Sequence, residues 1–172
     1  MSGKLWRAPK RCIFAVRYKE LVEALKGRGL RITTAESCTG GGIAAAITSV
    51  SGSSAVFPGG VVSYCDNVKH RVLGVPRAYL QEFGAVSAPV AEAMAAGAAE
   101  LMETELAVSA TGLAGPDGDG SDNPVGTVFL GLYFRGMTRA EHHVFSGSRE
   151  EIRRQAVERA AVMALECLEE EA

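Results

Sequence analysis

A short apolar run that ends in a glycine-rich turn and resumes as a helix constrains this chain most. Residues 30–34 read as strand, 35–42 as turn, and Ile43, Ile47 and Val50 keep helical spacing beyond it. Strand, turn and helix in that order commit the chain to an α/β layer architecture. In such folds a ligand sits at the helix N-terminus, where unpaired N–H groups point outward.

The same alternation continues on both sides. A helix is predicted over residues 18–28, with Leu21, Val22 and Leu25 on one stripe and a stop at Gly27 and Gly29. The apolar stretch 55–64 is broken by Pro58-Gly59-Gly60 and belongs at a sheet edge or bulge. Pro76 and Gly84 bracket a short helix, and Ser87 is placed to cap a longer one whose Val90, Met94, Ala98 and Leu101 face inward. Residues 106–110 read as a buried strand, and 125–134 with 141–145 as an antiparallel pair joined near Gly136. The last helix opens at Ser148 with a capping box to Glu151 and an inward stripe of Ile152, Ala156, Ala160 and Ala164.

No linker divides the 172 residues, so one domain over 18–172 is expected, preceded by a loose basic extension over 1–17. The 18 Lys+Arg against 20 Asp+Glu leave a net charge of -2, which offers no footprint for nucleic acid or an anionic membrane. Four cysteines without a C-x-x-C pair exclude a zinc knuckle or redox dithiol and fit a reducing cytosol. No apolar run approaches the ~20 residues of a membrane span, and a cytoplasmic location is expected.

The loop over residues 111–126 holds five glycines and three aspartates. Asp117, Asp119 and Asp122 suggest calcium, yet an EF-hand would need Gly where Asp122 stands and Glu where Val128 stands. No metal is expected there, and the loop reads either as a connector or as a ligand-binding segment. His142 and His143 are adjacent in a strand, point to opposite faces and cannot share a metal.

A serine and a lysine make the better chemistry. Ser37 lies between a strand and a glycine-rich helix start, where the N–H groups of about Thr39 to Gly41 could meet an oxyanion. Serine is unreactive without a base. Tyr64 and Lys69 can converge on it if the chain turns at Asp66-Asn67. For Lys69 to serve, its pKa must fall well below the ordinary ~10.4, which burial can achieve. The plainer alternatives are that Ser37 or Thr39 caps a helix, that Glu36 favours its N-terminus, and that Lys69 is a solvated charge. Cys38 is a rival nucleophile, its alternative a buried thiol.

Taken together, Thr34-Ala-Glu-Ser-Cys-Thr-Gly-Gly41, Gly52-Ser-Ser-Ala55, Gly60-Val-Val62, Tyr64 with Lys69, Leu73-Gly-Val75, Gly84-Ala-Val-Ser87, Thr111-Gly-Leu-Ala-Gly-Pro116 and Pro124-Val-Gly-Thr-Val128 resemble the CinA C-terminal domain family, the nicotinamide-nucleotide amidases. The order is kept over about residues 18–168. The resemblance implies a single three-layer α/β/α domain with a mixed sheet. It implies hydrolysis of the carboxamide of nicotinamide mononucleotide, giving nicotinate mononucleotide and ammonia. It also implies a serine nucleophile assisted by lysine and tyrosine, roles that fall on Ser37, Lys69 and Tyr64.

A small-molecule nucleotide is then the expected partner, without metal or cofactor, and the resemblance suggests a homodimer. Substrate-binding positions are expected at Glu36, Thr39, Gly40, Gly41, Thr111, Gly112, Gly115 and Arg149. Three positions depart from the usual pattern: Asp66 stands where Asn is common, Asn123 where Lys is frequent, and Ser148 where Asp is frequent, the last a mild change because both residues cap helices. A carboxylate beside Lys69 favours its charged form. The alternative function is therefore a pyridine-nucleotide-binding module with a silenced base.

Overall fold

Five strands form one mixed sheet in the order β2-β1-β3-β4-β5, where β1 is Ile32–Glu36, β2 Gly60–Val62, β3 Leu106–Gly112, β4 Thr127–Phe134 and β5 Met137–Val144. The computed structural model describes residues 11–170. Most of the expected basic extension lies outside them, and the first helix, α1 (Arg11–Arg28), begins seven residues before the predicted start at Tyr18.

Alternation along the strands divides the core into two layers. From β3, Leu106, Val108 and Ala110 join Ile32 and Leu130 in a cluster under α1, α2 (Gly42–Thr48) and α6 (Arg149–Glu170). The opposite face carries Ala35 and Ala107 and is covered by α5 (Ala88–Met102), with α3 (Asp66–Leu73) and α4 (Arg77–Glu82) packed around it. The layers are α/β/α. On this side α5 comes very close: a Cβ on Gly131 would collide with the Ala91 carbonyl, one on Gly97 with the Leu73 carbonyl, and Ser109 Oγ donates to the Ala91 carbonyl at 2.6 Å.

Some expectations are corrected. Of the stretch 55–64 only Gly60–Val62 is strand, an edge strand, and Ser53–Ala55 is a 3-10 turn. Leu101 is 50% exposed, and Ala98 and Ala99 end the buried stripe of α5 instead. Ser87 occupies the cap position, but its hydroxyl donates to the Gly84 carbonyl at 2.8 Å and closes the preceding turn. The last hairpin is tighter than predicted, since Arg135 (φ 47) and Gly136 (φ 95) form a two-residue turn of the primed type and β5 starts at Met137.

One topological fact positions the site. β1 lies between β2 and β3, parallel to both. The chain leaves β1 through α2 on one face and reaches β3 through α3, α4 and α5 on the other. The C-terminal ends of β1 and β3 therefore flank a switch point, where the diverging connections leave a crevice.

Candidate active site

Ser37 follows the last residue of β1, and its N–H donates to the Ala110 carbonyl at 2.8 Å, extending the β1–β3 pairing by one bond. The chain then reverses through Gly40 (φ 60) and Gly41 (φ 90), a left-handed pair that a side chain would strain. Glu36 fixes this reversal. Fully buried, it accepts the N–H of Ile43 at 3.0 Å and of Ala44 at 2.8 Å, one on each carboxylate oxygen. It caps α2 from seven and eight residues upstream, which favours the helix dipole.

Lys69 comes from the other connection. The expected turn at Asp66-Asn67 is instead the first turn of α3, and Lys69 and Leu73, four residues apart, form the buried stripe of that helix. The Lys69 side chain is 2% exposed. Its Nζ lies 3.2 Å from Ser37 Oγ and 3.1 Å from the Ser63 carbonyl, with Asp66 Oδ1 at 3.8 Å. Burial, the largest influence, drives its pKa below the ordinary lysine value, while Asp66, Cys65 and Cys38 pull it up. Desolvation wins. The amine is thus biased toward its neutral form while touching the serine hydroxyl, the arrangement a general base needs.

These groups open into a cavity of about 290 Å³ at the switch point. Of the predicted residues Ser37, Tyr64, Lys69, Thr111, Gly112 and Arg149 line it. Arg149 bridges the rim, donating to the Gly115 carbonyl at 2.6 Å and to the Tyr64 phenol at 3.2 Å. Tyr64 is 64% exposed and bonds to Arg149, not to Ser37 or Lys69. Thr111 spends its hydroxyl on the Ala85 carbonyl at 2.7 Å, fixing the opposite wall.

Of the five expected binding residues that do not line the cavity, Gly115 meets the site through the carbonyl that accepts from Arg149, and the other four lie behind the wall. Glu36 is the helix cap just described. Thr39 is fully buried, and its carbonyl accepts from Arg153 at 2.8 Å. Gly40 and Gly41 shape the turn, and the Gly40 N–H donates to the Ser37 carbonyl at 3.1 Å, which removes one expected oxyanion donor. Cavity residues that sequence reasoning gave no binding role are Cys38, Asp66, Ala85, Val86, Leu113, Ala114 and Asp119. Cys38, the rival nucleophile of the sequence, is inert near neutrality, because burial pushes its thiol pKa up to about 12. A larger hollow of about 610 Å³ along α5 is lined by Tyr79, Glu92, Glu100 and Thr138 but by no serine, cysteine or lysine. Among the described residues no cluster of His, Cys, Asp or Glu is placed to hold a metal, and no helix is long and apolar enough to cross a membrane.

Residues 16–169 match the family model of the CinA C-terminal domain. A CinA-like protein of Citrifermentans bemidjiense is 46% identical over 88% of this chain, which spans only 38% of that protein's length. Nicotinamide-nucleotide amidohydrolase PncC of Escherichia coli K12 is 46% identical, with 80% of this chain and 84% of that one covered. The crystal structure of a competence-damaged protein (CinA) superfamily protein from Klebsiella pneumoniae superposes with a TM-score of 0.89 at 35% identity, covering 91% of this chain and 98% of that one.

Proposed function

The chain belongs to the CinA C-terminal domain family, and from that premise we propose that it is an amidohydrolase that converts nicotinamide mononucleotide to nicotinate mononucleotide and ammonia. The observation that carries this reading is the 3.2 Å contact between the Ser37 hydroxyl and a buried Lys69 amine whose pKa burial depresses. The relative named as a nicotinamide-nucleotide amidohydrolase matches 80% of this chain, which supports the choice of substrate.

In the proposed reaction Ser37 Oγ bonds to the carboxamide carbon while its proton passes to Lys69 Nζ. The C–N bond then breaks, ammonia leaves with that proton, and Ser37 holds the acyl group as an ester. Water attacks the ester carbon and gives a proton to Lys69 Nζ, and the C–O bond to Ser37 breaks as that proton passes from Lys69 to Ser37 Oγ. The Ser63 carbonyl keeps the amine aimed at Ser37 throughout. Arg149, with two of its five N–H groups engaged at the rim, keeps the others for the substrate phosphate. Tyr64 orients Arg149 at the mouth, a role its contact supports better than a proton relay.

A silent nucleotide-binding module is the weaker reading, because the pull of Asp66 on Lys69 is outweighed by burial. Incubation with nicotinamide mononucleotide and continuous assay of ammonia tests the proposal. Turnover that Ser37→Ala lowers about a thousandfold or more is expected. Tight binding of the nucleotide without ammonia would instead establish the module.

A further inference from the structure

Lys69 has three neighbours for its hydrogens, and they are unequal. The Ser63 carbonyl at 3.1 Å and Ser37 Oγ at 3.2 Å are neutral and buried, whereas Asp66 Oδ1 at 3.8 Å is charged and its side chain is 58% exposed. A neutral amine has two N–H groups and a lone pair, so it can accept from the Ser37 hydroxyl while donating to Ser63 and toward Asp66. An ammonium has three N–H groups and turns one on Ser37 Oγ, which then faces a donor where it needs an acceptor. Asp66 favours the second state.

The other charged and titratable groups near the amine are placed differently. Cys65 precedes α3, Cys38 lies two residues past β1, and Tyr64, Asp119 and Arg149 line the same cavity without an ion pair to the amine. Glu36 on β1 is committed to α2, and Glu92 and Glu100 of α5 face the separate hollow. Among the described residues Asp66 alone forms an ion pair with Lys69.

We propose that Asp66 is a positioning residue that sets the pH at which Lys69 becomes competent to activate Ser37. It holds the ammonium in place between turnovers and releases it to the neutral state only above a threshold that its own charge raises. Because Asp66 is exposed, that threshold responds to ionic strength, so the site carries a built-in dependence on its medium. The inference rests on the reading of Lys69 as base.

The test follows the Lys69 side-chain nitrogen by NMR in the 172-residue chain uniformly labelled with ¹⁵N-lysine, with Lys69→Arg identifying the signal. Asp66→Asn is expected to lower the titration midpoint by roughly 0.5 to 1 pH unit, and Asp66→Glu to restore most of it. Raising salt from about 0.05 M to about 1 M should lower the wild-type midpoint and leave Asp66→Asn nearly unmoved, a readout that needs no substitution in the wild type. The acid limb of kcat/KM for ammonia release should shift with the midpoint. A Lys69 that titrates at or above its ordinary value overturns the base reading itself. A Lys69 that titrates low but ignores both salt and Asp66→Asn overturns the role of Asp66 alone.

Discussion

Lys69 and Arg159 are both drawn into the protein, and the fold treats their charges in opposite ways. Arg159, on α6, donates to Glu141 of β5 from Nε at 2.7 Å and to Glu166 from Nη2 at 2.6 Å, and Glu141 also meets His143 at 2.7 Å. Two carboxylates raise the guanidinium pKa, and Arg159, the strongest influence, holds the Glu141 carboxyl below its usual range. Lys69 is more deeply buried yet has one exposed carboxylate at 3.8 Å, and its pKa falls. Where counter-charge is complete, the cation is a clamp between strand and helix. Where it is incomplete, burial weakens the hold on the charge and the amine gives up its proton more readily than an ordinary lysine.

Substitution at the two positions should therefore separate activity from stability. Lys69→Met is expected to reduce ammonia release about a thousandfold or more while leaving the melting temperature at pH 7 equal or higher, since it removes a charge whose burial is unfavourable. A large loss of stability would contradict the contrast. Arg149→Ala, at the cavity mouth, should raise KM roughly 10- to 100-fold with a smaller change in kcat, as steady-state kinetics would show. Arg159→Met should do the reverse of Lys69→Met: chemical denaturation should show a loss of about 1–2 kcal/mol, with kcat/KM within a few-fold of the original.

The smallest effect is the pH dependence of folding stability. Glu141 has a depressed folded pKa, so its contribution is complete above the unfolded value of 4.5 and is lost as pH falls through the folded one. Lys69 has the opposite consequence for a cation. Between its lowered folded pKa and the unfolded 10.5 the unfolded chain binds the extra proton, and stability rises with pH across that window. Urea titrations of Glu141→Gln and Lys69→Met against the parent should show the first difference vanish in acid and the second shrink toward pH 10.5.

The same contrast shows what was legible in the sequence. Strand, glycine turn and helix around Ser37 follow from local pattern, as does the capping box, where the Ser148 N–H donates to Glu151 at 2.8 Å. Lys69 and Ser37, 32 residues apart, could be paired on paper only as a conditional convergence. The signal that would have strengthened it was Lys69 four residues before Leu73 on an inward stripe, but α3 lacks a capping side chain: Cys65 occupies its cap position and makes no cap bond. That Glu36 favours the start of α2 is one of its two readings in the sequence, but its partners there, Ile43 and Ala44, become neighbours only once the turn has formed. The resemblance gives Tyr64 an assisting role without saying what its phenol touches. Its direction is set by Arg149, 85 residues away, which no local pattern encodes.

Covalent labelling of Ser37 tests most directly whether an under-compensated amine makes that hydroxyl reactive, and it does not depend on knowing the substrate. With a small fluorophosphonate and intact-mass detection, a single adduct on Ser37 is predicted, forming faster as pH rises through the Lys69 transition and at least a hundredfold more slowly in Lys69→Met. An unlabelled Ser37, or equal rates with and without the lysine, would contradict it.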